Sequence, residues 1–515
     1  MRVMSTSPLV HVMHAAAQFP GHALFKRALA DVTSAQDEVL KHLLDLAART
    51  EVGRRRGIHR TWTARTVAER LPVTTWPDWA AWVDLQRAGR DRPVMCHSCT
   101  RFEPTSGSTA SRKWIPYPPA QLRQLDRAAS AWLFDIARTY PRVLRGRHYW
   151  SLSWIPDDLR SPDSGAAATG DDLELLPGWK RILLSRVMAV PPDVARRPSV
   201  DETMFETLVA LCAATDLSLV SVWSPTFLLE LLRRLGSERE HVAHRMEGMG
   251  QPRRAHLLRS WNGSSDAGFF RTFWPDLALV SAWDTGSSAS FAAEVKALLP
   301  HAAFQGKGVW ATEGVITIPF AGRYPLAVRS HYYEFRCLTT GKMLRPRELE
   351  PDMEVQPVIS TGSGLWRYAL EDRLVVTGFV GTAPCLRFVA RLNGTDLVGE
   401  KLDAALALSV LERVGSRLGI QCVTLLARQP AAGSDALPQY VLLGRGDSAG
   451  ESRAAAAAEE ALAGIHHYAL ARQLGQLGPA QAMLVADPLA TYGALARTNK
   501  ASGSTKIDPV CVWKE

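Results

Sequence analysis

Two passages of the same design constrain the fold more than anything else in the chain. DLSLVSVWSP (216–225) and DLALVSAWDTG (276–286) are each a short apolar run closed by a tryptophan and then a turn. A strand that is apolar on both faces suits the interior of a parallel sheet, and the long helical segments between the two passages supply the crossover such a sheet needs. An α/β fold follows as the expectation. Open α/β sheets take their ligands beyond the carboxyl ends of the strands, so Trp223 and Trp283 become candidate walls of a substrate pocket.

The rest of the chain divides by texture. Residues 20–90 and PAQLRQLDRAASAWLFDIART carry apolar residues at three- and four-residue spacing and read as helices, whereas GSERE reads as a surface loop. HYYEFRCL, VQPVIS, GLWRYAL, RLVVTGFV and CLRFVAR, separated by polar turns, form a β-rich stretch. Beyond Arg391 the pattern changes to helix (LVGEKLDAALALSVLERVGSRLG), two strands, helix, strand and helix, a small α+β domain. The boundaries expected are 1–390 for a large domain, 391–396 for a hinge and 397–515 for the small one. A chain of 515 residues is long enough for two to four domains.

The first stretch with evident chemistry is RFEPTSGSTASRKWIPY (101–117). Hydroxyl residues crowded around a glycine favour a loop rich in donors, and the cations Arg112 and Lys113 at its end suit an anion such as phosphate. The loop is expected to lead into the helix that follows, whose N-terminus would add favourable potential. It is not a G-x-x-x-x-G-K-S/T loop, since Lys113 stands six positions after Gly107 and Trp114 follows it. QGKGVWA has Gly306 and Gly308 but alanine in place of a third glycine, so it is no dinucleotide fingerprint.

Charge and cysteine usage narrow the partners. Lys+Arg number 60 against 51 Asp+Glu, a net +9 scattered along the chain, which suits small anions, and no nucleic-acid motif accompanies it. Seven cysteines, an odd number widely spread, argue for a reducing cytoplasm, and the pair Cys96 and Cys99 lacks the second pair a zinc site would need. No apolar run reaches the roughly 18 residues of a membrane span. A cytoplasmic protein without membrane or nucleic-acid partners is expected.

TSGSTASRKWIP, ALVSAWDTGSSA, FQGKGVWATEGVITIPF, SHYYEF, GLWRYALED, LRFVARLNG and LVGEKL follow one another in that order. Together they resemble the acyl acid amido synthetases of the auxin-responsive Gretchen Hagen family and its bacterial members, within the adenylate-forming enzymes. The resemblance implies a large N-terminal domain of α/β sheets with a β-rich subdomain, and a small mobile C-terminal domain. It implies ATP and Mg²⁺, a carboxylic acid activated as its acyl-adenylate, and an amine, such as an amino acid, as acceptor. Coenzyme A or a carrier thiol as acceptor, or a homologue that binds nucleotide without turnover, are the alternatives.

Carried onto this chain, the resemblance gives Thr105, Ser106, Gly107, Ser108, Thr109 and Lys113 as the phosphate loop. Glu313, beside Thr312, would be the metal ligand and Asp372 the ribose acid. Asp284, Thr285, Gly286 and Ser287 would contact adenine, with Arg387 and Arg391 in the strand leading to the hinge. Lys506, or else Lys500, would be the catalytic lysine. Two departures stand out: Ala110 where many relatives have glycine, and Glu371 in place of the usual glycine before Asp372, so that only one of two adjacent acids can face the ribose.

Overall fold

The computed structural model describes residues 8–89, 91–104, 113–151, 178–392, 395, 397–398, 400, 402–430, 436–473, 475–496 and 507–513. The two tryptophan-ended runs form strands Leu217–Ser221 and Leu279–Ala282. With Arg147–Trp150 on one side and Ala303–Gly306 on the other they make a four-stranded sheet, parallel throughout and in sequence order. The crossovers are helices, among them Val200–Ala213, Pro225–Gly248 and Ala289–Leu298. Because every strand runs the same way, all four carboxyl ends emerge at one edge.

The β-rich stretch is an antiparallel sheet in the order Met343–Leu344, Tyr332–Cys337, Glu354–Ser360, Asp372–Val380, Ala383–Arg391. Within GLWRYAL only Tyr368–Ala369 pairs, as a short branch on Glu354–Ser360. The N-terminal helices Pro8–Ala30 and Val32–Ala47, with Pro119–Thr139, pack on this sheet around one apolar core.

The third sheet has the order Gln481–Val485, Gln439–Arg445, Cys422–Arg428, Val510–Val512. One face, with Leu425, Tyr440 and Leu442, packs on its own helices Ala404–Leu418 and Glu451–Ala463. The other, with Val423, Val441 and Leu443, joins the core formed by the helices of the parallel sheet.

Several expectations are corrected. GSERE lies inside helix Pro225–Gly248. Gly236 does not break that helix, because its missing side chain admits the backbone of Gly263: a Cβ there would stand 2.2 Å from the Gly263 carbonyl oxygen. The described residues of LVGEKL (397, 398, 400 and 402) are not helical; Asp403 caps the helix that begins at Ala404, and the Glu400 carboxylate accepts from the N–H groups of Leu397 and Val398. RAAAAAEEALAGIHHYALARQLGQL splits into helices Glu451–Ala463 and His466–Gln473. The strand Val510–Val512 has no counterpart in the sequence reading; it pairs in parallel with Cys422–Arg428. None of the described helices is long and apolar enough to cross a membrane.

Among the buried histidines, His14, His148 and His331 are the ones held most firmly as neutral rings. Burial lowers His148 and His331 to about 3, and burial with the neighbouring His11 and Lys180 lowers His14 to about 4. A folded-state value below the ordinary 6.5 means that the unfolded chain binds more protons at acid pH. Their contribution is complete above that value and falls as the pH drops towards 3 to 4. At pH 5.5 each histidine should cost about 1.4 kcal/mol of stability relative to neutral pH, and denaturant unfolding at the two pH values measures it. A His331→Gln variant should lose part of that dependence.

Candidate functional site

The parallel edge collects aromatic rings. Trp150 ends the first strand, Trp223 and Trp283 follow the second and third, and the Trp283 N–H donates to the Trp223 carbonyl at 2.9 Å. The Trp223 ring lies 5.6 Å from Trp283 and 5.9 Å from Trp310, centroid to centroid. These separations fall in the range of favourable aromatic pairs.

The antiparallel sheet contributes charge. In the hairpin of Asp372–Val380 and Ala383–Arg391 the register sets Asp372 opposite Arg391, so the two meet at the open end of the ladder. Burial opposes the charge on Arg391. The carboxylates of Asp372, Asp508, Glu313 and Glu371 nonetheless hold its guanidinium above the ordinary arginine range. Glu313 arrives from a different element: strands Trp310–Ala311 and Gly314–Val315 pair antiparallel, leaving Thr312 and Glu313 as the two-residue turn. Tyr117 Oη donates to the Thr312 carbonyl at 2.8 Å and Gln121 Nε2 to the Glu313 carbonyl at 3.1 Å, pinning that turn to the segment after the hydroxyl-rich loop.

Burial pushes the Glu313 carboxyl above the usual range, Asp372 adds to the shift, and Lys113 and Arg391 oppose it. Tyr368 Oη donates to Glu313 Oε1 at 3.4 Å. Lys113 Nζ stands 3.9 Å from Glu371 Oε1. Of the two adjacent acids, Asp372 is buried and Glu371 exposed, the division an extended backbone requires.

These walls enclose a cleft of about 600 Å³, including the part open to solvent. Trp283 and Trp310 line one side, Thr285 and Ser288 another, Asp372 and Arg391 a third, and Ile507, Asp508 and Pro509 close it from the third sheet. Those last residues are fastened in place: the Leu425 N–H donates to the Pro509 carbonyl at 2.8 Å and Thr424 Oγ1 to the Asp508 carbonyl at 2.7 Å. Gly286 has φ +58°, and a Cβ there would come within 2.9 Å of the Phe388 ring, which also lines the cleft. Glycine is required on both counts.

Of the residues singled out from sequence, Trp283, Thr285, Asp372 and Arg391 line the cleft, and Lys113 and Glu313 interact with its charged wall. Thr312 and Gly286 contribute backbone, and Ser287 belongs to the short turn Gly286–Ser288. Asp284 sits behind the wall, its carboxylate against Gly306, where a Cβ would be 2.3 Å from Oδ1; burial pushes it above the usual range. Trp223 backs the lining rings. Arg387 is not brought in: it is exposed and pairs with Val375 midway along the hairpin. Thr105, Ser106, Gly107, Ser108, Thr109 and Ala110, with Lys500 and Lys506, lie outside the described residues.

The hydroxyl-rich loop is flanked by strands Phe102–Pro104 and Trp114–Pro116, which pair with each other. It therefore does not run directly into helix Pro119–Thr139, since strand Trp114–Pro116 stands between them. Sequence reasoning did not single out Ser288 or Phe388, although both lie inside the quoted motifs ALVSAWDTGSSA and LRFVARLNG, nor the tail residues Ile507–Pro509.

The described residues contain no group of three or more histidine, cysteine or acidic side chains fit to hold a metal on their own. Glu313, desolvated and beside Asp372, suits a hard cation that takes its remaining oxygens from a phosphate ligand and water.

A family model described as the GH3 family N-terminal domain matches residues 22–304, and one described as the GH3 family central domain matches residues 324–391. The chain belongs to the GH3 family. Among relatives of this GH3 protein, GH3.10 of Oryza sativa subsp. japonica is 24% identical over 455 residues, spanning 81% of this chain and 93% of the relative. The indole-3-acetic acid-amido synthetase GH3.8 of Oryza sativa subsp. indica is 22% identical over 437 residues, spanning 75% and 71%. The solved GH3.15 acyl acid amido synthetase shares the fold at a TM-score of 0.79 and 16% identity, over 95% of this chain and 93% of that one. A 2-hydroxyisobutyryl-CoA ligase in the postadenylation state matches at a TM-score of 0.51 and 12% identity, over 94% and 91%.

Proposed function

We propose that this GH3 protein is an ATP-dependent acid–amine ligase that forms an amide through an acyl-adenylate. The observation that carries the reading is the cleft itself, where Asp372, Arg391 and Glu313 converge beside a wall of indoles. A carboxylate cannot be attacked by an amine until one oxygen becomes a leaving group, and transfer to AMP supplies that. The acid's oxygen attacks the α-phosphorus, the bond to the β-phosphate oxygen breaks, and pyrophosphate leaves. The amine then attacks the acyl carbon, loses a proton and displaces AMP.

In this scheme the Asp372 carboxylate accepts from the ribose hydroxyls, since one carboxylate can serve two adjacent donors. Thr285, Gly286 and Ser287 border the adenine, and Asp284 fixes that loop from behind. Lys113, with Thr105, Ser106, Gly107, Ser108 and Thr109, holds the phosphates, and Arg391 faces the negative charge that develops during transfer. Glu313 would hold Mg²⁺, which neutralises phosphate charge when bound. Lys506, with Lys500 as second choice, supplies a further cation; its sequence neighbour Ile507 lines the cleft. Residues 1–390 form the part that binds nucleotide and acid, 391–396 the hinge and 397–515 the lid that keeps the adenylate from water. Trp283, backed by Trp223, borders the acyl group, and an amino acid serves as the amine.

The test is acid-dependent pyrophosphate release from ATP and Mg²⁺, over aryl, indolyl and straight-chain acids, with amino acids and coenzyme A offered side by side. Release that requires an acid, with amide as product, is the expected result. Thioester as product would move the acceptor to a thiol, and absence of release across the panel with ATP bound would reject the ligase reading.

A further inference from the structure

Lys307 stands between Gly306 and Gly308 at the carboxyl end of the fourth parallel strand, and only 1% of it is exposed. Its Nζ lies 4.6 Å from the centre of the Trp223 ring, 4.9 Å from Trp132 and 5.6 Å from Trp150, and donates to Ser221 Oγ at 2.6 Å. Three indole faces thus surround one ammonium, each within the range of a favourable cation–π contact. The indoles do not stop there. Trp223 touches Trp283 and Trp310, and Trp132 lies 6.1 Å from Trp310, whose ring lines the cleft together with that of Trp283. Trp132 is further fixed by the hydrogen bond from its Nε1 to Gln305 Oε1, at 2.8 Å.

We infer that Lys307 is a positioning residue for the acid substrate, clamping the indoles behind the cleft so that its aromatic wall is held ready for a planar acyl group. The inference rests on the ligase reading of the same cleft. An indole has free rotation about two bonds unless something holds its face, and one cation shared by three faces restrains all three at once. A flat ring bound against Trp283 and Trp310 gains from offset or edge-on geometry, which requires their angles to be set in advance. A straight acyl chain gains only from covered area, which tolerates a looser wall. The aryl acid therefore feels the loss of Lys307, and the straight-chain acid does not.

Pyrophosphate release is measured for wild type, Lys307→Met and Lys307→Arg with an aryl acid and a straight-chain acid of equal size. Lys307→Met should raise KM for the aryl acid about tenfold or more, and leave kcat at saturating acid and KM for ATP within about threefold. The straight-chain KM should hold within the same limit. Lys307→Arg, which keeps a cation over the indoles, should restore most of the aryl-acid affinity. Equal rises for both acids, or no rise, would overturn the inference. If Lys307→Met does not fold, Ser221→Ala, which removes only the hydroxyl that receives the ammonium's hydrogen bond, should shift the aryl KM in the same direction; no shift would overturn it. Wild type that releases no pyrophosphate with any acid would count against the ligase reading instead. Quenching of tryptophan fluorescence by the aryl acid then decides the inference separately, expected to weaken in Lys307→Met and overturning it if unchanged.

Discussion

Glu313→Gln should lower acid-dependent pyrophosphate release by 10²–10³, about 3–4 kcal/mol of transition-state stabilisation, the range seen when a single electrostatic contact to developing charge is removed. The substitution keeps the shape of the side chain and its place in the turn between Ala311 and Gly314, where a Cβ on Gly314 would already stand 2.7 Å from His331 Nε2. What it removes is charge. That charge is costly to the empty protein, because burial and Asp372 both push the Glu313 carboxyl towards its neutral form. Stability should therefore stay level or rise while activity collapses. A group kept for the fold would lose both together. Melting curves and initial rates on the same preparation separate the two, and a Gln variant with wild-type rate would remove Glu313 from the site.

The second large effect lies where the antiparallel sheet meets the N-terminal helices. Arg367 and Glu334, from the motifs GLWRYALED and SHYYEF, form a bidentate ion pair at 2.8 and 2.9 Å, each side chain 5% exposed. The remaining guanidinium nitrogen donates to the carbonyls of Ala68 and Leu71, at the end of the N-terminal helix Ala64–Arg70. Arg367 also adopts φ +48°, an uncommon conformation for a side-chain residue, held by the Thr74 N–H donating to its carbonyl at 2.9 Å. Removing either partner strands a buried charge, at a cost of about 3–5 kcal/mol. Glu334→Ala and Arg367→Ala should each lower the denaturant midpoint strongly. Replacing both by apolar residues, Glu334→Leu with Arg367→Met, should cost less than either alone. The exposed pair Arg65–Glu69 serves as control, where Arg65→Ala should leave the denaturant midpoint essentially unchanged. Additive single effects would show that the pair is not coupled.

The sequence features that proved readable were those whose signal is local. Apolar runs capped by Trp223 and Trp283 are parallel strands because both faces had to be buried. The alternation through RLVVTGFV and CLRFVAR marks a hairpin, and its register carries Asp372 to Arg391. What escaped was decided by distant partners. GSERE read as a surface loop, yet a helix tolerates its Gly236 at about 1 kcal/mol when another backbone needs the space. Lys307 was visible only as a lysine between two glycines, and its neighbours in sequence do not tell that two strand ends and the helix Pro119–Thr139 will surround it with indoles. Val510–Val512 is too short and too ordinary to read as a strand; its pairing is set by Leu425, Leu426 and Ala427, more than eighty positions earlier.

That last pairing works as a ruler. Val510 is matched to Leu425, Cys511 to Leu426 and Val512 to Ala427, so the distance from the ladder to the cleft is counted in residues. Deleting one residue between Ile507 and Val510 would draw that wall along by about 3.3 Å, the rise of a single strand residue. It would also turn alternate side chains to the opposite face. The width of the opening is thus written in the spacing of a backbone ladder, and a change of length there alters it in whole steps.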